Sequence, residues 1–505
     1  MEEGSGEMSV YEAQRERIQE LEEESVRLRE VRHPSGCDGC YEKQRRIDIL
    51  EEENKHLKAK LKMEEVKSKD GPFGSSTPSS KIPVKANTPE ENRRKNGGAK
   101  KGGKGHGRRP VDSERADQIE TIAVGDRCPR CDGELVHKGT DERPVIDLSP
   151  IRVKKIVYRC ENKWCPKCKK AVEAKPPVLP RSMYGNRLIA QAAAFHYGHG
   201  ITEGNIDAIL GHAVPSGTMF DIFHRVARLW APAVSKLIED FRREPVRHAD
   251  ETSWRTDGHS GYAWVFCSDT ISLFQFVDSR AAKTPKSILG SEKLPGVLVV
   301  DRYGAYNKAP CRLQYCWVHL KRDVEDLEKE FADDPEVQSF VGALEPLMSM
   351  VIRLRNRPIS KADYKKMAKS LKRKIQKIIN APARHLGIRN IQFIFRKHHD
   401  RLFLWVPDRN IPADNNRAER ELRPTVIARK ISFGSQSEQG AKTRSIWTTI
   451  LYTAKKRLND ESLVDWLKGA LDQIVAHPNV DPYSLLPPST PSRTRSRPHR
   501  STHSP

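Results

Sequence analysis

Three acidic side chains are the first candidates for chemistry in this chain. Asp250 lies in the run Arg247-His248-Ala249-Asp250-Glu251-Thr252, and Asp301 follows the apolar run Val297-Leu298-Val299-Val300. Glu419 comes much later, in the charged run Asp414-Asn415-Asn416-Arg417-Ala418-Glu419-Arg420, which is predicted to begin a helix. Carboxylate oxygens are the ligands that Mg²⁺ and Mn²⁺ prefer, and pairs of such ions catalyse phosphoryl transfer. The pattern therefore indicates metal-dependent chemistry on phosphate esters.

The charge of the chain favours a nucleic acid as the partner. The 505 residues contain 89 Lys and Arg against 67 Asp and Glu, a formal net charge of +22. Basic proteins bind polyanions through phosphate contacts and counterion release. We find no signal-peptide pattern and no stretch as long as a membrane span, so we expect a cytoplasmic protein with reduced thiols and no membrane partner.

The pattern of apolar residues predicts how the first two acids meet. Strands are expected over 246–250, 261–267 and 271–277, followed by a helix over 279–289 and a strand over 297–300. This order is typical of a ribonuclease H-like α/β domain, in which the first and fourth strands are neighbours. Asp250 and Asp301 would then lie at one end of the sheet.

Three other acidic residues compete for these positions. Side chains alternate across a strand, so Glu251 and Asp250 cannot both face the metals. On the predicted helix Glu421 points about 160° away from Glu419, and Asp414 is better placed as a cap.

Five cysteines predict a structural zinc site. Cys128 and Cys131 form one CxxC pair, and Cys165 and Cys168 form another, separated by β-prone sequence over 152–159. Two such pairs complete a tetrahedral Cys₄ site, as in a zinc ribbon. Cys160 is an alternative to one of the four, and a redox-active CxxC is the alternative chemistry.

The remaining segments differ in composition, and we predict the following organisation. Heptad spacing of apolar residues over 10–65 predicts a coiled coil broken near His33-Pro34-Ser35-Gly36 and, with Asn54 in its seam, a homo-oligomer. The predicted divisions are a coiled coil at 10–65, a basic disordered linker at 66–115, a zinc ribbon at 116–175, a helical region resembling a helix-turn-helix at 180–243, a catalytic domain at 244–460, a C-terminal helix at 461–486 and a disordered tail at 487–505.

Several of these motifs together resemble the DDE transposases of bacterial insertion sequences, specifically the insertion-sequence-66 family. The resemblance rests on the following strings, of which the last is the most specific: Lys175-Pro176-Pro177-Val178-Leu179-Pro180, Asp250-Glu251-Thr252-Ser253-Trp254, Asp301-Arg302-Tyr303-Gly304-Ala305-Tyr306, Cys316-Trp317-Val318-His319-Leu320-Lys321-Arg322 and Asp414-Asn415-Asn416-Arg417-Ala418-Glu419-Arg420-Glu421-Leu422-Arg423-Pro424. It implies Asp250, Asp301 and Glu419 as the catalytic triad holding two Mg²⁺ or Mn²⁺ ions, and an all-α insertion over about 325–405.

The resemblance also suggests accessory residues. Cys316 and His319 form a CxxH pair similar to one in insertion-bearing DDE transposases, and the sequence offers no second pair that would make it a zinc site. The candidates for binding DNA near the third acid are Arg420, Arg423, Arg429, Lys430, Asn415 and Asn416. The two asparagines could instead orient the metal-bound water.

The sequence thus predicts a transposase that cuts the ends of an insertion sequence and joins them to target DNA. Its DNA partners would be the terminal inverted repeats and the target, and relatives commonly need other proteins encoded by the element. Two alternatives are a sequence-specific DNA-binding protein without catalysis and a structure-specific nuclease.

Overall fold

A computed structural model describes residues 10–30, 44–58, 126–127, 130–136, 151–459 and 461–489. The predicted linker at 66–115, the tail beyond 489 and the rest of the predicted coiled coil lie outside the described residues. The chain forms two units, one comprising Met1–Ser75 with Val153–Pro505 and the other Ser76–Arg152. Most of the described part of the second unit is a short turn. The backbones of Arg127 and Glu134 form an isolated antiparallel β-bridge there, and the side chain of Arg127 forms an ion pair with Asp132 at 2.9 Å.

The regular elements of the larger unit are numbered here in chain order. They are α1 (Val10–Glu30), α2 (44–58), β1 (Asn162–Cys165), β2 (Lys170–Glu173), α3 (Asn186–Ala193, continued by a π-turn over Ala194–Gly198), α4 (Glu203–Ile209), α5 (Ser216–Arg243), β3 (Val246–Thr256), β4 (His259–Cys267), β5 (Ser272–Val277), α6 (Lys283–Leu289), β6 (Val297–Val300), β7 (Arg312–Tyr315), α7 (Trp317–Glu330), α8 (Pro335–Leu354), α9 (Lys361–Ile379), α10 (Leu386–Lys397), α11 (His399–Leu402), α12 (Asn416–Ser432), β8 (Gly434–Ser435), α13 (Glu438–Arg457) and α14 (Leu463–Ala476). Short 3₁₀ turns cover Gly304–Lys308 and Pro482–Leu485.

The central sheet has the strand order β5-β4-β3-β6-β7, with β8 pairing the far end of β3. β3 is antiparallel to β4 and parallel to β6, and β6 is parallel to β7. This mixed α/β arrangement, with the first and fourth strands of the sheet as neighbours, is compatible with the ribonuclease H-like fold predicted from the sequence.

Both faces of the sheet are buried, which explains the nearly continuous apolar sequence of β4. Trp264 and Phe266 enter the core shared with α5, whereas Ala263 and Val265 enter a second core shared with α12. Alternate residues of β4 therefore pack against helices on opposite faces of the sheet.

Helix α13 covers the edge strand β5 through hydroxyl side chains. Ser445, Thr449 and Thr453, spaced four residues apart on one face of the helix, accept the backbone N–H groups of Phe276, Phe274 and Ser272 at 3.2, 2.9 and 3.1 Å. The backbone N–H groups of the edge strand thus have partners within the chain, which protects β5 from pairing with a strand of another molecule.

The segment between β7 and α12 is entirely helical in its regular elements. It contains α7 to α11, in the region where the all-α insertion was predicted. Helix α8 is long and apolar enough to cross a membrane by length and composition, but eight of its residues are buried in this helical segment, as expected for a core helix.

Helices α1 and α2 pack on each other and on the helical segment. Leu21 and Leu50 are buried, and Asn54 donates to the backbone carbonyl of Ile18 at 3.3 Å. Lys55 pairs with Asp334 at 3.6 Å, which ties α2 to the start of α8. The two separate helices that the sequence predicts are present, and their self-association stays a prediction.

Candidate active site

The register of the parallel pair β3–β6 brings the first two acids together. His248 pairs with Val299, so Asp250 and Asp301 lie level with each other two residues further on. β6 ends at Val300, whereas β3 continues to Thr256 through its pairing with β4. The sequence prediction ended β3 at Asp250 and was therefore too short, because the antiparallel partner extends the strand beyond its parallel one.

Asp250 and the adjacent Glu251 face opposite sides of the sheet. Asp250 is opposite Val265, on the face covered by α12, and Glu251 is opposite Trp264, on the other face. Only Asp250 is on the side from which the third acid approaches.

The start of α12 is fixed on β3 by a buried asparagine. The side chain of Asn415 bonds to the His248 ring at 3.0 Å and donates to the Ala249 carbonyl at 2.9 Å. The Glu419 backbone N–H donates to the Asn415 carbonyl, so Glu419 lies one turn along the same helix face. Burial, with help from nearby Arg417, lowers the pKa of His248 to about 3, and the ring is a neutral partner for Asn415.

Asp250 is influenced by its burial and by the charges of the other acids. Burial raises the pKa of Asp250 well above its usual range, and the charges of Glu251, Asp301 and Glu419 add to this increase, while the Glu251 backbone N–H opposes it. Asp301 accepts the backbone N–H of Tyr303 at 3.0 Å, which holds the carboxylate in a turn just after β6. Three carboxylates from a strand, a turn and a helix thus share one electrostatic environment.

Two side chains that were not predicted from the sequence donate hydrogen bonds to the Glu251 carboxylate. Arg280 donates to its Oε1 at 2.7 and 3.0 Å, and the Tyr306 hydroxyl donates to its Oε2 at 2.7 Å. Burial raises the pKa of Glu251, and these two donors oppose the increase. Tyr306 lies in the run that begins at Asp301, which was the available signal, whereas nothing in the sequence singled out Arg280.

Glu419 lies beside the CxxH pair. Its carboxylate, the Cys316 sulfur and a ring nitrogen of His319 are within 4.8 Å of one another. Among the described residues, Glu419 Oε1 and His319 Nδ1 are buried without a hydrogen-bond partner. Burial raises the pKa of Cys316 to about 11, against the effect of backbone N–H groups that donate to its sulfur. The structure thus associates Cys316 and His319 with the third acid.

The two competing acids near Glu419 have other partners. Asp414 accepts the backbone N–H of Asn416 at 3.1 Å, next to the first turn of α12. Glu421 accepts the Ser272 hydroxyl at 2.8 Å and pairs with Lys456 at 3.1 Å, which links α12 to β5 and α13.

The predicted DNA-binding residues are in two different situations. Arg420, Arg423 and Lys430 are exposed along α12. Arg429 turns inward and donates to the Ser253 carbonyl at 2.6 Å.

The two asparagines at the start of α12 are less available to DNA. Asn415 is fully buried, so its part in the structure is to position the helix, and Asn416 is half-buried. Of the predicted DNA-binding residues on α12, the exposed cations Arg420, Arg423 and Lys430 are therefore the most accessible.

The cysteine region is only partly described. β1 and β2 form a hairpin over Asn162–Glu173, and residues 152–159, predicted to be β-prone, contain no strand. Cys165 ends β1, and donors at Cys168 and Lys167 lower the pKa of its thiol, a typical knuckle environment. Cys131, Cys160, Cys165 and Cys168 are all free thiols, and Cys128 lies outside the described residues.

Both groups of residues fit the metals that were predicted. The carboxylates of Asp250, Asp301 and Glu419 offer hard oxygen donors, and a divalent cation would offset both the burial of Asp250 and the nearby negative charges, which together raise its pKa. The thiol of Cys165, with donors on its sulfur, suits a soft ion such as zinc.

Comparison with known proteins identifies the family of the chain. Residues 181–443, which contain Asp250, Asp301 and Glu419, match the sequence model described as "Transposase IS66 family". Residues 126–169 match the "zinc-finger binding domain of transposase IS66". An uncharacterized protein, y4jD, of Sinorhizobium fredii is 25% identical over 397 residues, which are 69% of this chain and 75% of that protein. Since the first match alone spans more than half of the 505 residues, the chain belongs to the IS66 family of transposases.

Proposed function

We propose that this transposase cleaves DNA at the ends of its insertion sequence and transfers the strands to target DNA. The main support is the convergence of Asp250, Asp301 and Glu419 on one face of the sheet, where each carboxylate influences the pKa of Asp250. In a strongly basic chain, such a cluster suits chemistry on a polyanionic substrate.

The same three carboxylates would hold two Mg²⁺ or Mn²⁺ ions. These ions would supply Lewis acidity, which activates the attacking oxygen and stabilises the leaving one. Glu419 Oε1 has no hydrogen-bond partner among the described residues and would be available as a ligand atom.

The chain itself would select the ligands and position the DNA. Asp250 is on the α12 face by strand alternation, and Glu251 on the other face is engaged by Arg280 and Tyr306. Arg420, which follows Glu419 directly, and Arg423, one turn further on, are exposed and would bind phosphates beside the reacting one.

The proposed reaction has two phosphoryl-transfer steps. In the first, water attacks the phosphodiester at the element's end, and the bond to the 3′ oxygen breaks to leave a free 3′-OH. In the second, that 3′-OH attacks a phosphodiester of the target, forming a new 3′-O–P bond while the target's own bond breaks. Neither step needs a covalent bond between protein and DNA.

Other parts of the chain would recognise the element. The zinc ribbon at 116–175, with Cys128, Cys131, Cys165 and Cys168 as ligands, and the helical region at 180–243 would bind the terminal inverted repeats. The coiled coil at 10–65 would bring copies together, and other proteins of the element would assist. As a transposase acts on DNA, we expect it in the cytoplasm.

A strand-transfer assay with Mn²⁺ and labelled end DNA tests this proposal. We expect Asp301→Asn to abolish both cleavage and joining, because it removes a ligand without changing the shape of the side chain. Asp278→Asn is the matched control, since Asp278 is an exposed acid after β5 that pairs with Lys283 at 3.3 Å.

Three outcomes are informative. Loss of activity only in Asp301→Asn supports the proposal. Equal activity in both variants would remove these acids from catalysis, and cleavage by wild type without joining would make the protein a nuclease.

A further inference from the structure

A second set of metal-ligand types surrounds Glu419. Cys316 supplies a sulfur, His319 an imidazole nitrogen and Glu419 an oxygen, all within 4.8 Å of one another. Ligands of one tetrahedral ion with bonds of about 2.0–2.3 Å lie roughly 3.3–3.8 Å apart, so small rotamer changes would close the set.

The sulfur of Cys316 is surrounded by backbone donors. It precedes α7, and its sulfur accepts backbone N–H groups of Val318 and His319 and, at 3.2 Å, that of Asn415. Backbone donors stabilise a sulfur that carries negative charge, as the thiolate of a metal site does.

The scaffold around these ligands is rigid. The Cys316 backbone N–H donates to the Val300 carbonyl, and that of Trp317 donates to the Ala413 carbonyl, each at 2.8 Å. The CxxH turn is therefore fixed both to the end of β6 and to the chain that leads into α12.

Two further atoms point to a missing ligand. His319 Nδ1 and Glu419 Oε1 are buried and, within the described parts of the chain, have no hydrogen-bond partner. Unsatisfied buried polar atoms are costly, and two of them beside a buried thiol suggest that a group is bound between them.

We propose that Cys316, His319 and Glu419 form a binding site for one divalent transition ion of the zinc type. Sulfur and imidazole donors select such ions over Mg²⁺, which prefers oxygen. Three protein ligands leave a fourth position for water or a DNA oxygen. The site is separate from the zinc ribbon and shares only Glu419 with the proposed Mg²⁺ or Mn²⁺ centre.

This sharing has a consequence that rests on the proposed function. An ion held by Cys316 and His319 would compete with the oxygen-ligated ions for the Glu419 carboxylate. Excess Zn²⁺ is then expected to inhibit strand transfer by the wild type, and Cys316→Ser is expected to relieve that inhibition.

Cobalt binding tests the site without any assay of activity. Co²⁺ is added to full-length protein whose ribbon is already filled with Zn²⁺, zinc release is monitored, and thiolate-to-cobalt charge-transfer absorption is recorded. In the wild type we expect a thiolate band from one further ion. In Cys316→Ser we expect the band to be lost and the affinity for that ion to fall by about 100-fold or more. Cys311→Ser, which changes a partly buried thiol outside the set, is the matched control and should keep the band.

Further variants separate the possible results. His319→Asn and Glu419→Gln must also weaken binding, which keeps the test decisive if Cys316→Ser does not fold. Absence of a thiolate band in the wild type, or its persistence in Cys316→Ser, would overturn the proposal. Asp301→Asn should keep the band while losing strand transfer, so a failure of the proposed function is distinguishable from a failure of this site.

Discussion

Replacing Arg280 with alanine tests how much its contacts with the buried Glu251 contribute to stability. Glu251 is 2% exposed and Arg280 is 45% exposed, and two donors of the guanidinium reach Glu251 Oε1. An exposed ion pair contributes about 0.2–1 kcal/mol, whereas leaving a buried charge unpaired costs about 3–5 kcal/mol. Because only one partner is buried and Tyr306 still donates to Glu251, we expect Arg280→Ala to lower the free energy of unfolding by about 2 kcal/mol.

Urea denaturation in the absence of divalent ions measures this loss. Arg280→Lys should recover part of the stability, because it keeps the charge but not the two-donor geometry. Lys283→Ala is the matched control: its pair with Asp278 is exposed on both sides, and its loss should be below about 0.5 kcal/mol. The reasoning is refuted if Arg280→Ala costs no more than the control, or costs the same when Glu251 is already glutamine.

Three further predictions concern the site and its surroundings. In metal-free buffer Asp250→Asn should raise the free energy of unfolding by about 1 kcal/mol, because it removes a buried, crowded carboxylate, and Mg²⁺ should no longer raise the melting temperature. Burial, with nearby Arg444, lowers the pKa of His196 to about 4 in the folded protein. Below pH 6.5 the imidazole therefore binds a proton more readily in the unfolded chain, so the protein loses stability as the pH falls from 6.5 towards 4. Urea titrations of wild type and His196→Gln should differ in this window by about 3 kcal/mol. Phe433 is 76% exposed with φ of 60°, a left-handed backbone that favours glycine, so Phe433→Gly should raise the free energy of unfolding in urea by about 1 kcal/mol, and an unchanged or lower value would contradict this reasoning.

The sequence predicted the sheet well because its strands carry their own signals. The apolar runs of β4, β5 and β6 and the turn at Ser268-Asp269-Thr270 are local features, and their order restricts the possible topologies to a few. The length of β3 was missed because the residues after Asp250 are polar, and their pairing with β4 is a tertiary effect.

The sequence could also predict that neighbouring acids face different ways. Alternation along a strand and the period of a helix separate Asp250 from Glu251 and Glu419 from Glu421, and the structure has each pair on opposite sides. Which member of each pair binds a metal was taken from the resemblance to the family, and that choice stays a prediction.

What could not be predicted is which distant side chains complete each group. Arg280 reaches Glu251 from the loop after β5, and Asn415 reaches His248 from the start of α12. The CxxH pair lacked a third ligand in the sequence because the helical segment α7 to α11 separates it from Glu419 along the chain. In the fold, the bond from the Asn415 backbone N–H to Cys316 Sγ brings the two ends of that segment together. Both ends of the helical segment are therefore fixed at the end of β6, and the position of Glu419 depends on this closure as much as on α12 itself.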